Sequence, residues 1–228
     1  TAILLDANAN EIIKVNGIEY SIKNRQAVQR ALFYSVNAVT DEVSFAGIYV
    51  DIKGQDDVEH NVNLYGFRPV FSGGSRDDSI KAFGHDLVIN AGDGDDTIVL
   101  YGGVSKAYGE AGNDTLTSNG GDLDGGDGDD ILNINNNGCT HHGGSGNDIF
   151  NINSSNSRIY GEDGDDIFNI IKGDNNMIDG GAGTNTVTGT VGSNTTINVI
   201  GANSGSVSLV RGVEQTVTIN GIDYTMST

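Results

Sequence analysis

The stretch Ala91-Gly92-Asp93-Gly94-Asp95-Asp96-Thr97-Ile98-Val99 decides the fold, because close copies of it return at fixed intervals along the chain. The copies are Gly109–Thr117, Gly125–Asn133, Gly143–Asn151 and Gly161–Asn169. Each copy is a glycine-rich hexapeptide that ends in Asp, followed by three residues with a large apolar one in the middle. This frame, G-G-x-G-x-D-x-U-x, is typical of a coiled repeat. One copy would be a weak signal, whereas a series in one register is a strong one.

The residue types in this frame suit a divalent cation. Glycine reaches positive φ without a Cβ clash, so a glycine-rich turn can direct its carbonyl oxygens towards one point. Calcium takes about six to eight oxygen ligands, and carboxylates and main-chain carbonyls are the ligands that flexible loops supply. We therefore expect the sixth-position aspartates to be charged ligands: Asp96, Asp114, Asp130, Asp148 and Asp166.

The spacing of these aspartates predicts a single row of ions. Counted from Asp78, the sixth positions fall at 78, 96, 114, 130, 148 and 166, in steps of 18, 18, 16, 18 and 18 residues. Two nonapeptides therefore make one coil of about 18 residues. Only one flank keeps the glycine–aspartate frame, since the opposite turns, such as Tyr101–Val104 and Asn153–Asn156, hold turn-forming residues without it.

Apolar residues recur in phase with the frame and predict a narrow core. Side chains alternate along a strand, so the position-eight residue points away from the cation side. These residues are Ile98, Leu116, Leu132, Phe150 and Phe168. The residues two places before the motifs are expected to point inward as well: Phe71, Ile89, Ala107, Leu123, His141, Ile159 and Ile178. Each coil buries few side chains and needs its neighbours to complete the core.

The motifs resemble the RTX family, also called haemolysin-type calcium-binding repeats, over about residues 73 to 188. The resemblance implies an all-β solenoid, a right-handed parallel β-roll, and secretion to a calcium-rich exterior. It also implies several calcium ions between turns one coil apart, held by aspartates of one or both turns and by main-chain carbonyls of both. Many members bind ions on both flanks, and this chain departs from that pattern.

The remaining candidate ligands are the first, third and fifth positions of the frame: Ala91, Asp93, Asp95, Gly109, Ala111, Asn113, Gly125, Asp127, Asp129, Gly143, Ser145, Asn147, Gly161, Asp163 and Asp165.

The composition is strongly acidic, with 31 acidic and 12 basic residues and a net charge of −19. Nucleic acid and anionic membranes are therefore poor partners, since both require basic patches. Without cations the acidic coils should repel one another, so we expect calcium binding and folding to be one event. The single Cys139 excludes an internal disulfide framework, and no apolar run approaches the ~18 residues that span a bilayer.

The N-terminal region, residues 1–70, is predicted to be a small α/β cap. An Asn-Gly pair between alternating apolar residues predicts a β-hairpin over Glu11–Ile22. Asn24 is a candidate N-cap for a helix over Arg25–Val39, whose apolar stripe would pack on the first coil or bind a partner. One or two strands are expected in Val43–Ile52.

At both ends of the repeat block, residues 71–190, the motif departs from its consensus. Before it, Gly54–Glu59 resembles a decayed motif that is out of phase. Asp78 is in phase and is expected to share the first ion with Asp96, although Arg76 replaces a glycine of its turn. At the far end Asn185 stands where Asp belongs, so this coil should form and bind calcium weakly, if at all.

The C-terminal region, residues 191–228, is predicted to be a β-rich cap. Val191–Val210 is rich in Thr, Asn, Gly and Val, and a second Asn-Gly pair predicts a hairpin within Gln215–Met226. Hairpins at both ends suggest caps, because terminal coils expose edges that invite aggregation. Junctions within a longer tandem array are the alternative.

A cysteine and two histidines, Cys139, His141 and His142, invite a transition-metal interpretation. A zinc site needs a third and a fourth ligand, and no further cluster is in view. We interpret these residues as polar variation in a tolerant coil, with His141 inward and His142 outward. His60 and His85 stand alone and are interpreted as surface or turn residues.

Three classes of function remain open from the sequence. The leading one is a non-enzymatic, calcium-binding RTX β-roll segment of a secreted or surface bacterial protein, which folds as ions fill its sites after export. The second is a spacer of an adhesin or surface layer, whose caps contact a cell-surface ligand. The third is an enzyme of solenoid type, such as a polysaccharide lyase or epimerase, which requires a groove with convergent acid and base groups; the repeats would carry catalysis or be its accessory module. Thr1–Leu5 lacks the length and basic leader of a signal peptide, and the chain begins without Met, so we expect it to be processed or excised from a larger parent chain.

Overall fold

The computed structural model describes residues 1–6, 10–26, 30–37, 39–191, 196–200, 202–209, 215–219 and 222–226, and every regular element in these ranges is a β-strand. No helix among them is long and apolar enough to cross a bilayer. The strands are β1 (Ala2–Leu5), β2 (Asn10–Val15), β3 (Ile18–Asn24), β4 (Arg30–Asn37), β5 (Glu42–Ile48), β6 (Val50–Gly54), β7 (Asn61–Phe67), β8 (Val70–Ser72), β9 (Ser79–His85), β10 (Val88–Asp93), β11 (Thr97–Leu100), β12 (Lys106–Ala111), β13 (Thr115–Ser118), β14 (Asp122–Asp127), β15 (Ile131–Ile134), β16 (Thr140–Ser145), β17 (Ile149–Asn153), β18 (Arg158–Asp163), β19 (Ile167–Lys172), β20 (Met177–Asp179), β21 (Asn185–Val191), β22 (Thr196–Ile200), β23 (Ala202–Leu209), β24 (Gln215–Ile219) and β25 (Ile222–Met226).

The strands form a β-solenoid with two long sheets. Sheet A has the order β1-β4-β5-β7-β9-β11-β13-β15-β17-β19-β21-β23, and sheet B has the order β2-β3-β6-β8-β10-β12-β14-β16-β18-β20-β22-β24-β25. Neighbouring strands are parallel from β5 to β23 in sheet A and from β6 to β24 in sheet B. One strand from each sheet makes one coil, and the expected parallel solenoid with coils of about 18 residues is confirmed.

The strand register confirms the spacing read from the aspartates. Ile98, Leu116, Leu132, Phe150 and Phe168 are partners in successive strands of sheet A. The short step of 16 residues between coils is absorbed at the turn opposite the aspartates. That turn is Asn119–Gly121, whereas the preceding coil uses Tyr101–Ser105.

The core is a set of stacked columns between the two sheets, as the apolar periodicity predicts. The inward column of sheet B contains Phe71, Ile89, Ala107, Leu123, His141, Ile159 and Ile178, and every member is buried. In sheet A the rings of Phe150 and Phe168 stack with centroids 4.8 Å apart. Each side chain therefore packs mainly on its equivalents one coil away, which is why a single coil is not stable alone.

Both predicted hairpins are present, and they lie at opposite ends of sheet B. β2 and β3 pair antiparallel around Asn16 and Gly17, whose φ values of 50° and 86° fit the turn that Asn-Gly favours. β24 and β25 pair antiparallel from Ile219 and Ile222, and the two turn residues lie outside the described residues. The two hairpins thus occupy the positions expected of caps.

The helix expected over Arg25–Val39 is wrong, because the described part of that segment forms strand β4. Within β4 Leu32 is buried and Phe33 is 55% exposed, which is the alternation of a strand. β4 pairs antiparallel with β1 and β5, so tertiary pairing outweighs the helical spacing. Asn24 caps a turn instead of a helix, since its Oδ1 accepts the Gln26 N–H at 3.0 Å. Residues 27–29 and 38 lie outside the described residues.

Candidate cation site on the aspartate column

The sixth positions form one column at the turns that lead from sheet B into sheet A. We call it the aspartate column. All of its side chains are 0–3% exposed. Its members are His60, Asp78, Asp96, Asp114, Asp130, Asp148, Asp166 and Asn185. The structure therefore brings all the predicted sixth-position aspartates into line and buries them.

One carboxylate oxygen of each aspartate is used in a ladder between coils. Oδ1 of each residue accepts a hydrogen bond from the main-chain N–H of the column residue one coil earlier, at 2.6–2.9 Å. For example, Asp96 donates its N–H to Asp114, which in turn donates to Asp130. Hydrogen bonds to an ionised acceptor are stronger than neutral ones, so this ladder favours the observed coil register.

The second carboxylate oxygen is buried without a hydrogen-bond donor among the described residues. This holds for Oδ2 of Asp78, Asp96, Asp114, Asp130, Asp148 and Asp166. First-position glycines make room for it. A Cβ on Gly109 would lie 2.0 Å from Asp114 Oδ2 and 2.4 Å from the Gly125 carbonyl oxygen, and the same pattern recurs at Gly125, Gly143 and Gly161. A carboxylate oxygen and a carbonyl oxygen thus approach the same glycine with no positive group between them.

At both ends of the aspartate column, a side-chain nitrogen takes the place of the buried Oδ2 atom of the aspartates. Asn185 Nδ2 donates to the carbonyl of Gly180, its own first-position residue, at 2.8 Å. At the other end His60 Nε2 lies 3.0 Å from the Gln55 carbonyl, which only accepts, so this nitrogen carries the proton. The ends are therefore satisfied within the protein. Among the described residues, the six aspartates between them have no such nitrogen, and their second oxygens keep no hydrogen-bond donor.

The third and fifth positions make separate contacts. A third-position carbonyl accepts the N–H of the fourth-position glycine one coil earlier, as between Ala111 and Gly94 at 2.8 Å. Fifth-position side chains form a second ladder on the exposed surface, in which Asp95 Oδ1 accepts the Asn113 N–H at 2.8 Å. The same ladder continues through Asp129, Asn147 and Asp165. These carboxylates support the turn and add negative charge at its rim.

Burial makes the ionised form of the column unfavourable. Loss of solvent raises the pKa of Asp96 and of Asp130 to about 8, and hydrogen bonds from main-chain N–H groups only partly oppose the rise. The same cause raises the pKa of Asp78 and of Asp148 to about 7. For Asp114 and Asp166 the pKa is about 6. At neutral pH Asp96 and Asp130 therefore favour a bound proton or a bound cation, whereas Asp114 and Asp166 are mostly ionised.

The donor set fits a hard cation. Within the described ranges no three side chains of His, Cys, Asp or Glu converge on one point. A cation at these turns must then take most of its ligands from main-chain carbonyls, with a carboxylate oxygen as the charged one. Calcium accepts such all-oxygen sets of six to eight ligands, whereas zinc is typically held by four ligands in a tetrahedral arrangement that usually includes His or Cys.

The remaining histidines and the cysteine fall in different places. His60 lies in the turn between β6 and β7, but it is buried in the column, so its interpretation as a surface residue is wrong. It lies 18 residues before Asp78, which the spacing alone predicts. His85 is exposed. His141 is buried and His142 points outward, as expected. Cys139 is half-buried and does not join a metal cluster with them.

Comparison with known proteins gives no assignment: no family model, no curated protein and no solved structure matches this chain.

Proposed function

We propose that this chain is a calcium-binding segment of the RTX type, from a secreted or surface bacterial protein. The supporting observation is the row of buried Oδ2 atoms that have no donor and that lie beside carbonyl oxygens. A buried, unpaired carboxylate is strongly unfavourable, so a row of them requires a compensating charge. The regular spacing of the coils would place one such charge at each repeat.

Calcium would be held between stacked turns by the column aspartates and by carbonyls of the glycine-rich turns. The carbonyls that approach first-position glycines beside an aspartate Oδ2 are the expected sources: those of Ala91, Gly125, Gly143, Gly161 and Gly180. The ion would supply positive charge to oxygens that otherwise repel one another. Oδ1 would remain in the ladder that sets the coil register.

Calcium binding would also drive folding. The chain carries a net charge of −19, and each coil brings its turn carboxylates against those of the next. A site that does not exist in the unfolded chain links ion binding to folding free energy. Sites of extracellular type bind calcium with dissociation constants of roughly 10⁻⁴–10⁻³ M. The segment would therefore stay unfolded at the low calcium concentration inside the cell and would fold after export.

Circular dichroism during a calcium titration tests this proposal. The metal-stripped chain at pH 8 should lack the β spectrum and should gain it cooperatively in millimolar calcium. Magnesium at equal concentration is the matched control, since its smaller octahedral shell fits a carbonyl-rich turn poorly. A spectrum that is already β-rich and does not change on adding calcium would argue against coupled folding.

A further inference from the structure

Outward residues of sheet B form an aromatic column with one gap. Tyr108, Asp124, His142 and Tyr160 are register partners in four successive strands, β12, β14, β16 and β18. Aromatic or imidazole rings occupy three of these positions, and the short Asp124 lies between Tyr108 and His142. We call the space between Tyr108 and His142, above Asp124, the slot.

The slot is a real cleft with a volume of about 320 Å³. Tyr108, Asp124 and His142 line it, together with Lys106, Asp122 and Thr140 at its side. Neighbouring parallel strands are about 4.8 Å apart, so the two ring positions, two strands apart, are separated by about 9–10 Å. Ring spacing elsewhere on the solenoid agrees, at 4.7 Å between Phe83 and Tyr101.

One side of the slot is held in place before any ligand arrives. The His142 ring stacks on Tyr160 with centroids 4.9 Å apart and planes 15° apart. His142 Nδ1 also lies 2.7 Å from Glu162 Oε1. One face of the imidazole is therefore covered, and its other face is turned towards the coil of Asp124. A fixed ring loses little conformational freedom on binding, which favours affinity.

The width of the slot selects for a puckered ring. A carbon–carbon contact needs about 3.5–4.0 Å on each side, which leaves room for a guest roughly 1.5–3 Å thick. A flat aromatic base is too thin to touch both sides. A saturated six-membered ring in its chair form is thicker than a flat base, because its axial C–H groups project from both faces, and it offers these C–H groups to the two rings.

The polar groups of the slot suit hydroxyl groups. The carboxylate of Asp124 is half-buried and accepts no hydrogen bond from the described part of the chain, while Lys106 and Thr140 offer donors at the side. Burial raises the pKa of Asp124, and the charges of His142 and Lys106 oppose that rise. Asp122 and Glu162 make the surroundings acidic, which disfavours an anionic guest.

The cleft continues along the solenoid. Lys106 also lines a second cleft of about 330 Å³ that reaches Arg68 and Arg25 over the earlier coils. A groove that spans several coils accommodates a chain of linked units better than a single small molecule.

From this geometry we infer that the slot binds a neutral hexopyranose unit of a glycan, between the Tyr108 and His142 rings and above the Asp124 carboxylate. The site lies on the face of sheet B and not at the aspartate column, so it does not depend on how the column is neutralised. It requires only the folded solenoid.

Binding should be measured by saturation-transfer NMR and calorimetry, with the whole chain in millimolar calcium. The probes are neutral tetrasaccharides of glucose, galactose, mannose or N-acetylglucosamine, with a tetrauronate for comparison. At least one neutral probe should bind more tightly than the tetrauronate. Failure of all neutral probes at millimolar concentration, or binding of the uronate alone, overturns the inference.

Variants locate the binding. Asp124→Tyr fills the slot with a further ring and should abolish binding, while Tyr108→Ala and His142→Ala should each weaken it about two- to tenfold. Tyr101→Ala removes an exposed ring of the turn that follows β11 and should change nothing. Unchanged circular dichroism shows that a variant is folded. If Asp124→Tyr does not fold, the two alanine variants decide, and wild-type affinity in both contradicts the inference.

Discussion

At the scale of single residues, the molecule contrasts Asp with Asn at one structural position. Asn185 accepts the same main-chain N–H through Oδ1 as the aspartates do, and its Nδ2 then donates to the Gly180 carbonyl. An aspartate in the same geometry places a lone pair where Asn185 places an N–H. The one-atom difference separates a side chain that is satisfied within the protein from one whose second oxygen has no donor among the described residues.

The substitution Asp114→Asn should therefore stabilise the metal-free chain and remove bound calcium. The free energy of unfolding of the metal-free chain should rise by about 1–3 kcal/mol, because a buried unpaired oxygen is replaced by a donor to a carbonyl. Since the wild-type chain is expected to be unfolded without metal at pH 8, urea denaturation of the metal-stripped chains is compared at the highest pH at which the wild-type chain still folds. Asp95→Asn is the matched control, since its exposed side chain keeps its Asn113 N–H bond and should change the free energy by less than about 0.5 kcal/mol. A less stable Asp114→Asn chain would contradict the account.

The metal-free chain should also lose stability as pH rises, provided that it folds at acidic pH. Burial raises the pKa of Asp96 and Asp130 to about 8 in the folded state, while aspartate in an unfolded chain titrates near ~3.9. Between these values the folded state holds more protons than the unfolded state. The stabilisation is therefore complete below about pH 4 and disappears as pH approaches about 8. Thermal melts in metal-stripped buffer should give a Tm that falls as pH rises from 5 towards 8, where the folded state is expected to be lost, and a Tm that rises with pH would oppose this assignment.

At the scale of elements, the glycine-rich turn is the unit that sets the spacing of the coils. Its fourth-position glycines adopt positive φ, for example 135° at Gly128. A Cβ on Gly128 would lie 2.0 Å from the Gly112 carbonyl oxygen one coil away. The turn therefore needs glycine both for its backbone conformation and for close approach of the next coil.

Gly128→Ala should destabilise the folded solenoid more than an alanine at an open glycine. The backbone conformation alone costs about 1–3 kcal/mol for a residue with a Cβ, before any clash with Gly112 is counted. Gly103→Ala is the control, because its Cβ would meet no atom closer than 3.6 Å. Urea midpoints in saturating calcium measure both. Equal midpoints for the two variants would show that the turn does not pack as described.

The sequence predicts the repeated elements better than the first ones. Glycine, aspartate and apolar positions recur with one period, so strand, turn and inward direction support one another at every coil. In residues 25–39 no repeat helps, and Leu32 and Val36 fit both a helix stripe and one side of a strand. The pairing of β4 with β1 and β5 decides between the two, and such long-range pairing is not visible in a local pattern. His60 was missed for a related reason, since a histidine does not resemble the aspartates whose place it takes.

At the scale of the whole molecule, the column has defined ends. Six aspartates lie between His60 and Asn185, and each is stacked on the next. If each ion lies between two stacked aspartates, six residues provide five intervals. His60 and Asn185 end the row, because the side chain of each supplies an N–H donor to the neighbouring carbonyl oxygen.

The chain should therefore bind at most five calcium ions in the aspartate column, and Asn185→Asp should add one. The change replaces the donor to the Gly180 carbonyl with a carboxylate oxygen stacked against Asp166. Native mass spectrometry at saturating calcium counts the ions. Asn175→Asp alters an exposed residue of the opposite turn and is the control, for which the count should stay the same. A count that Asn185→Asp leaves unchanged would show that the row does not end there.

A crystal structure of the chain grown in millimolar calcium tests the central claim most directly. The account predicts one row of ions along the turns from Asp78 to Asp166, each ion within about 2.3–2.6 Å of an aspartate Oδ2 and of main-chain carbonyl oxygens. The opposite turns should bind no ion. Aspartate oxygens that remain metal-free in the aligned column at saturating calcium would contradict the account.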